Sequence, residues 1–331
     1  ICGYRAKDRM MLTFDPANQT LLSDRESIAY KFCQNHEHEV CNWVIPIESA
    51  DKFCSACKLN RTIPNLGNAK NYEKWQHLEV AKHSLIYQLQ KLGLPLPSKL
   101  KNKKEGLCFD FVSRLTNKKL MTGHANGVIT ILISEANSVE RERRRKDLSE
   151  PYRTIIGHLR HEVGHYFWER IIYTDQKVLD EYRSIFGDER ISYADSLTEY
   201  YKKPDTKEWH ANFISRYATA HSWEDWAETW AHYLHIMDMV ETAFFFKLKV
   251  VIDKEIKTKV SVDPYTVKSF DKIVQTQVPL SFAVNSISRA MGHLEVYPFV
   301  LTPAIIDKLK FIHKLLWRLR TSNEINPILN N

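Results

Sequence analysis

The chain has 331 residues, 44% of them hydrophobic and 26% charged, with a formal net charge of +7. That length allows a sizeable core and two domains, and the composition is that of a globular protein, which excludes disordered and fibrous classes. No apolar run approaches the ~18–20 residues of a membrane helix, and the opening "ICGYRAKDRM" lacks the apolar region of a secretory signal. A soluble, cytoplasmic protein with no membrane partner is therefore expected.

Residues 1–66 hold five of the six cysteines: Cys2, Cys33, Cys41, Cys54 and Cys57. The last four follow the spacing C-x7-C-x12-C-x2-C. A close pair joined by two more cysteines in a short segment suits a tetrahedral structural zinc site better than a disulfide framework. The segment is thus expected to be a small module held by Cys33, Cys41, Cys54 and Cys57. His36 and His38 lie between the first two cysteines, but a complete cysteine set makes them unnecessary as ligands. Cys2-Gly3 reads as the end of a second knuckle whose first half would precede residue 1.

From Tyr72 to Leu92 the residues Trp75, Leu78, Leu85, Leu89 and Leu92 recur at helical spacing, and Gly93, Pro95 and Pro97 then stop the pattern. "LCFDFV" and "GVITILI" carry the β-branched and aromatic enrichment of strands; Cys108, inside the first, is expected to be a small core hydrophobe. The basic runs "KLKNKK" (99–104) and "RERRRK" (141–146) read as solvated surface. Without any nucleic-acid-binding signature beside them, nucleic acid is not an expected partner. Ser149 and Pro151 give a helix start. Residues 150–245 and 264–320 read as mainly helical, the latter with a Thr302-Pro303 start and a stripe of Ile305, Leu309, Ile312, Leu316 and Leu319. The second domain is expected to span 67–331.

Within "TIIGHLRHEVGHYFWERII" (154–172), His161-Glu162-Val163-Gly164-His165 fits H-E-x-x-H. Positions four apart share one helical face, so both imidazoles can reach one zinc ion while Glu162 can take a proton from zinc-activated water. Ile156, Leu159, Val163 and Phe167 form an apolar sector nearly opposite. The active-site helix is expected over about 151–172. His158 shares the ligand face and is expected to be a hydrogen-bonding wall residue, since three protein ligands already leave a catalytic site with the one open position it needs.

The third ligand is expected in "YATAHSWEDWAETWAHYLH" (217–235), on a helix over about 222–238. Glu224 and Glu228 are four apart there, on a different sector from Trp223, Trp226, Trp230, Leu234 and Met237, an aromatic and apolar stripe expected to face the core. Beside a histidine pair, a ligating Glu224 with Glu228 behind it, orienting a histidine, fits better than two solvated carboxylates. His232 and His235 lie too far along the helix for the same ion at ~1.5 Å per residue.

"HEVGH" followed by E-x-x-A-E resembles the gluzincin metallopeptidases. In their lethal-factor-like branch a tyrosine seven residues before the glutamate ligand assists the transition state, and Tyr217 stands seven before Glu224. His221, just before that glutamate, is the alternative donor. "CNWVIP", "CSACKLNRTIPNL", "TGHANGVITILISEA", "FGDER" and "WEDWAETWAHYLH" extend the resemblance to bacterial zinc-binding metallopeptidases that carry an N-terminal zinc ribbon, from Cys2 to at least Thr242. The family's first cysteine knuckle is missing here apart from Cys2. The resemblance implies an α+β fold: a predominantly helical, zincin-like catalytic domain with a small sheet, behind a zinc-ribbon-like module. It further implies one catalytic and one structural zinc, and a peptide or protein substrate. The competing readings are a scaffold or nucleic-acid- or protein-binding module with structural zinc sites only, and a hydrolase of non-peptide amides.

Overall fold

The computed structural model describes residues 2–7, 9–15, 17, 20–23, 26–113, 121–138, 140, 154–206, 208–252 and 256–321. Among them are eleven strands and seven α-helices, so the chain is α+β and mostly helical, with small sheets. It divides into two compact units, one of Ile1–Gln90 with Leu96–Arg141, the other of Lys91–Pro95 with Glu142–Asn331. The run 141–146 and the helix start at Ser149 and Pro151 lie outside the described residues.

The first unit opens with an antiparallel meander of β1 (Cys2–Arg5), β2 (Met10–Asp15), β3 (Thr20–Ser23), β4 (Glu26–Phe32) and β5 (Val44–Pro46), in spatial order. Leu12, Leu21, Tyr30 and Val44 form its buried face, with Phe14 and Phe32 packed against them. A bridge between Tyr4 and Trp43 returns β1 towards β5. The end of β4 delivers Cys33, and the approach to β5 delivers Cys41. Beyond β6 (Asn60–Thr62) comes α1 (Ala69–Lys91), whose Trp75, Leu78, Leu85 and Leu89 are fully buried, as their spacing predicts. Gly93, with φ +71°, follows it, the conformation that suits glycine beyond a helix end.

A second sheet has the order β6-β7-β9-β8, from β7 (Cys108–Val112), β8 (Gly123–Ala125) and β9 (Val128–Leu132). β7 runs parallel to β6 and β9, and β8 is antiparallel to β9. Asn126 and Gly127 both have positive φ in the two-residue β8–β9 turn, as a type I′ hairpin requires. Cys108 is fully buried, and burial raises its thiol pKa, which suits a packing role.

In the second unit α2 (Ile155–Phe167) begins at Thr154, whose hydroxyl accepts from the Gly157 amide at 3.0 Å. After Phe167 the helix widens into a π-helical turn over Trp168–Ile172, and residues 151–153 of the expected 151–172 lie outside the described residues. α3 (Gln176–Phe186), capped by Asp175, stops at Gly187 with φ +96°. α4 (Tyr193–Lys202) starts from Ser192, and α5 (Ser222–Phe245) from His221. A hairpin of β10 (Lys249–Ile252) and β11 (Ile256–Lys259) precedes α6 (Phe270–Ala290) and α7 (Pro303–Thr321).

α5 is the axis of this unit. Its Trp226, Trp230, Leu234 and Met237 are buried, as are Leu159, Val163 and Phe167 of α2. The two helices approach closely at Gly164, where a Cβ would stand 3.2 Å from the Ala227 Cα. Trp226 Nε1 donates to the Gly164 carbonyl at 2.9 Å across the contact. No helix among the described residues is long and apolar enough to cross a membrane.

Candidate metal centres

The helical repeat of α2 places His161 and His165 one turn apart, and the close crossing with α5 brings the first turn of that helix to them. The Nε2 atoms of the two histidines lie 3.1 Å apart. Glu224 Oε2 is 3.0 Å from His161 Nε2 and 3.5 Å from His165 Nε2. All three side chains are buried, and their donor atoms fit within a 4.8 Å span.

Glu224 Oε2 is the atom that tests whether a cation fits. It is buried in a side chain only 1% exposed, yet makes no hydrogen bond among the described residues. A buried carboxylate oxygen without a hydrogen-bond donor is costly, and two imidazole nitrogens and one carboxylate oxygen are a donor set that zinc accepts. Burial disfavours a charged His161, but Glu224 and Glu228 outweigh it and hold the imidazole pKa well above its usual range. Burial likewise opposes ionisation of Glu224, and the charges of His165 and His161 overcome it, leaving its pKa well below the carboxylate range. The centre is therefore built to hold positive charge.

Behind it, His161 Nδ1 donates to Glu228 Oε1 at 2.6 Å, and the Ser215 hydroxyl donates to Glu228 Oε2 at 2.6 Å. The first bond fixes the ring orientation that turns Nε2 towards Glu224 and His165. Glu162 is buried beside the pair, with Oε1 3.2 Å from His158 Nε2. Burial pushes its pKa up, but His158, His161 and His165 together bring it below the ordinary value, so it is ionised near neutral pH. The Tyr217 ring lies 5.9 Å from that of His161. Burial and then the Glu224 charge drive its pKa upwards, so it remains a protonated donor.

His221, the alternative donor, has both ring nitrogens in hydrogen bonds to backbone. Its Nδ1 accepts from the Trp223 amide at 3.1 Å, capping α5, and its Nε2 donates to the Ile191 carbonyl at 3.0 Å. Trp223 leaves the aromatic core stripe predicted for it, being half-buried with its ring 4.1 Å from that of His165. His232 and His235 turn to other partners, the Tyr297 hydroxyl at 3.1 Å and Arg160 Nη1 at 2.5 Å. Sequence reasoning missed Ser215 and also Tyr193, whose hydroxyl donates to Glu224 Oε1 at 2.6 Å. Both are remote in sequence from what they touch, and no spacing signals them.

In the first unit Cys33, Cys41, Cys54 and Cys57 are all buried and converge within the same span. No disulfide joins them. The Trp43 amide donates to Cys41 Sγ at 3.4 Å, that of Cys54 to Cys33 Sγ at 3.3 Å, and that of Cys57 to Cys54 Sγ at 3.4 Å. Backbone amides aimed at sulfur stabilise thiolates. Hydrogen bonds with the other three thiols depress the Cys33 pKa, where its sulfur accepts, and raise that of Cys41, where its thiol donates. Four converging buried sulfurs are a donor set that zinc accepts. His36, considered beside this set, stacks on Phe32 and bonds the Cys41 carbonyl at 2.9 Å.

Residues 71–315 match the family model described as "Putative zinc-binding metallo-peptidase", and residues 1–68 match that of a zinc-ribbon domain. Uncharacterized proteins of Mycobacterium tuberculosis and Mycobacterium bovis are each 35% identical over 308 residues, which is 92% of this chain and 88% of the relative. No solved structure is significantly similar. With both metal-type clusters assembled inside the matched regions, the chain belongs to this family of zinc-binding metallopeptidases and carries its N-terminal zinc ribbon.

Proposed function

We propose that the protein is a zinc-dependent peptidase of gluzincin type, acting on a peptide or protein substrate. The observation that carries this reading is the convergence of His161, His165 and the Oε2 of Glu224, with the Glu162 carboxylate buried alongside. His161, His165 and Glu224 would hold a catalytic zinc, and Cys33, Cys41, Cys54 and Cys57 a structural one. The catalytic zinc would supply Lewis acidity and lower the pKa of water to about 7.

The remaining work falls to the chain. Glu162 takes a proton from the attacking water and returns it to the leaving amine, a role contributing typically ~10²–10⁴-fold. Tyr217 donates a hydrogen bond to the carbonyl oxygen as negative charge builds on it. Glu228, held by Ser215, keeps the His161 ring aligned. His158 steadies the Glu162 carboxylate.

The test is hydrolysis of an unbiased peptide pool by the zinc-loaded wild type and by Glu162→Gln. Cleavage by the wild type, reduced ~10²-fold or more in the variant with zinc retained, is the expected result. No cleavage of any peptide at any zinc loading, or equal turnover by both proteins, overturns the reading.

A further inference from the structure

We propose that the segment Gly187–Tyr193 is a clamp that positions Glu224, with Tyr193 as the contact and His221 as the lock. The inference rests on the reading of His161, His165 and Glu224 as a metal site and assigns that site two positioning residues.

The argument begins with how the Glu224 carboxylate is divided. Oε1 accepts the Tyr193 hydroxyl at 2.6 Å, while Oε2 faces the two histidine nitrogens with no hydrogen bond. One oxygen is anchored, so the carboxylate cannot rotate about its own axis without breaking a short charge-assisted bond. The other oxygen is left for a cation.

The anchor is itself held rigidly. Tyr193 is the first residue of α4, and the chain reaches it through "FGDER". Gly187 turns the chain with φ +96°, Arg183 grips Glu189 through two hydrogen bonds at 2.9 and 2.5 Å, and Asp188 binds Arg190 through two at 2.8 Å. At Ile191 the segment is tied to the start of α5, since His221 Nε2 donates to its carbonyl while Nδ1 caps the helix that bears Glu224. The Tyr193 ring packs edge-on against both His221 and Trp223, at 5.4 and 5.8 Å. One histidine thus ties together the two backbone segments whose side chains meet at Glu224 Oε1. This gives "FGDER" and His221 a shared purpose that neither has on its own.

The experiment measures zinc affinity of the chelator-stripped full-length chain by competition with a chromophoric chelator, and repeats it with cobalt, whose absorption reports ligand geometry. Tyr193→Phe keeps the ring and removes the hydroxyl. It is expected to weaken zinc at the His–Glu site by ~10–100-fold, alter the cobalt spectrum, and leave the cysteine-bound zinc and the thermal midpoint unchanged. In a Glu224→Ala background the same change should have no effect on the residual affinity. His221→Asn can still cap α5 but cannot reach Ile191. It should weaken the site in the same direction, and it carries the test should Tyr193→Phe not fold. Unchanged affinity and spectrum in both variants overturn the proposal. So does a fall in peptide turnover at unchanged affinity, which would make Tyr193 a donor to substrate. Failure of the underlying metal reading looks different: wild type and His161→Ala would then bind the same number of zinc ions.

Discussion

Gly164 and Trp230 meet where α2 crosses α5, and a Cβ on the glycine would stand 3.2 Å from the Trp230 Cδ1. The glycine of "HEVGH" lies directly against the partner helix, so the motif serves both zinc-type geometry and helix packing. The Trp226 indole N–H donates to the same residue's carbonyl, and Glu224 sits two residues before that tryptophan. The separation of the helices at Gly164 therefore sets how near Glu224 comes to the histidines.

Enlarging this residue should push the helices apart. Gly164→Ala gains about 1 kcal/mol of helix propensity and loses a comparable amount to crowding against Ala227. Gly164→Val should destabilise by about 1–3 kcal/mol and weaken zinc at the His–Glu site. Denaturant unfolding and zinc competition check this. A valine variant as stable and as tightly metallated as wild type would contradict the packing argument.

Glu228 acts on His161 from behind the centre. Glu228→Ala removes the acceptor of the His161 Nδ1 proton and leaves the Ser215 hydroxyl without its carboxylate partner. Zinc affinity or activity should drop ~10–100-fold, with Ser215→Ala producing a smaller change in the same direction. Equilibrium zinc titration of the two variants distinguishes this from a role for Glu228 in packing alone, which would lower the melting temperature and leave affinity intact.

Elemental analysis should find about two zinc ions per chain, because two separate sets of buried donors converge. His161→Ala should remove one and Cys54→Ser the other. The second loss should unfold the N-terminal module, whose four buried sulfurs converge. A count of one in the wild type would leave one of the clusters unexplained.

Acid should destabilise the second unit through histidines buried as neutral rings. Burial depresses His232 to about 4, drives His235 well down and lowers His313. Arg160 donates to His235 Nδ1, which requires that nitrogen to be unprotonated. Above about pH 6.5 these imidazoles are neutral in both the folded and the unfolded chain. As pH falls from there towards 4, the unfolded chain binds protons that the folded one refuses, so stability is lost across that window. His232→Asn, measured by thermal unfolding with zinc present, should shallow the decline. An identical slope in the variant would show that His232 is not one of the groups responsible.

How much of this was legible in advance follows the range of the interactions. The pair His161 and His165 and the stripe Trp75, Leu78, Leu85 and Leu89 repeat at spacings that one helix dictates, and Cys33, Cys41, Cys54 and Cys57 were readable from residue type and their closeness in sequence. Glu224 was reachable because the histidine pair implied a third donor and a second helix offered a carboxylate. Trp223 was misjudged because helical spacing groups it with Trp226 and Trp230. The end of a helix, however, lies beyond the crossing that buries them, and there the ring meets His165 instead.

The sequence by itself determined the two donor sets, the helical character of the second unit and the small cysteine-bearing module before it, since each depends on local periodicity and residue chemistry. Only the tertiary structure decided that the Tyr193 hydroxyl meets Glu224, that Ser215 holds Glu228, and that His221 caps α5 while reaching the Ile191 carbonyl. These contacts join residues up to 31 positions apart, and they depend on a turn at Gly187 and a helix crossing at Gly164. Neither distance nor orientation across such a gap is encoded in spacing. They emerge when packing fixes one backbone against another.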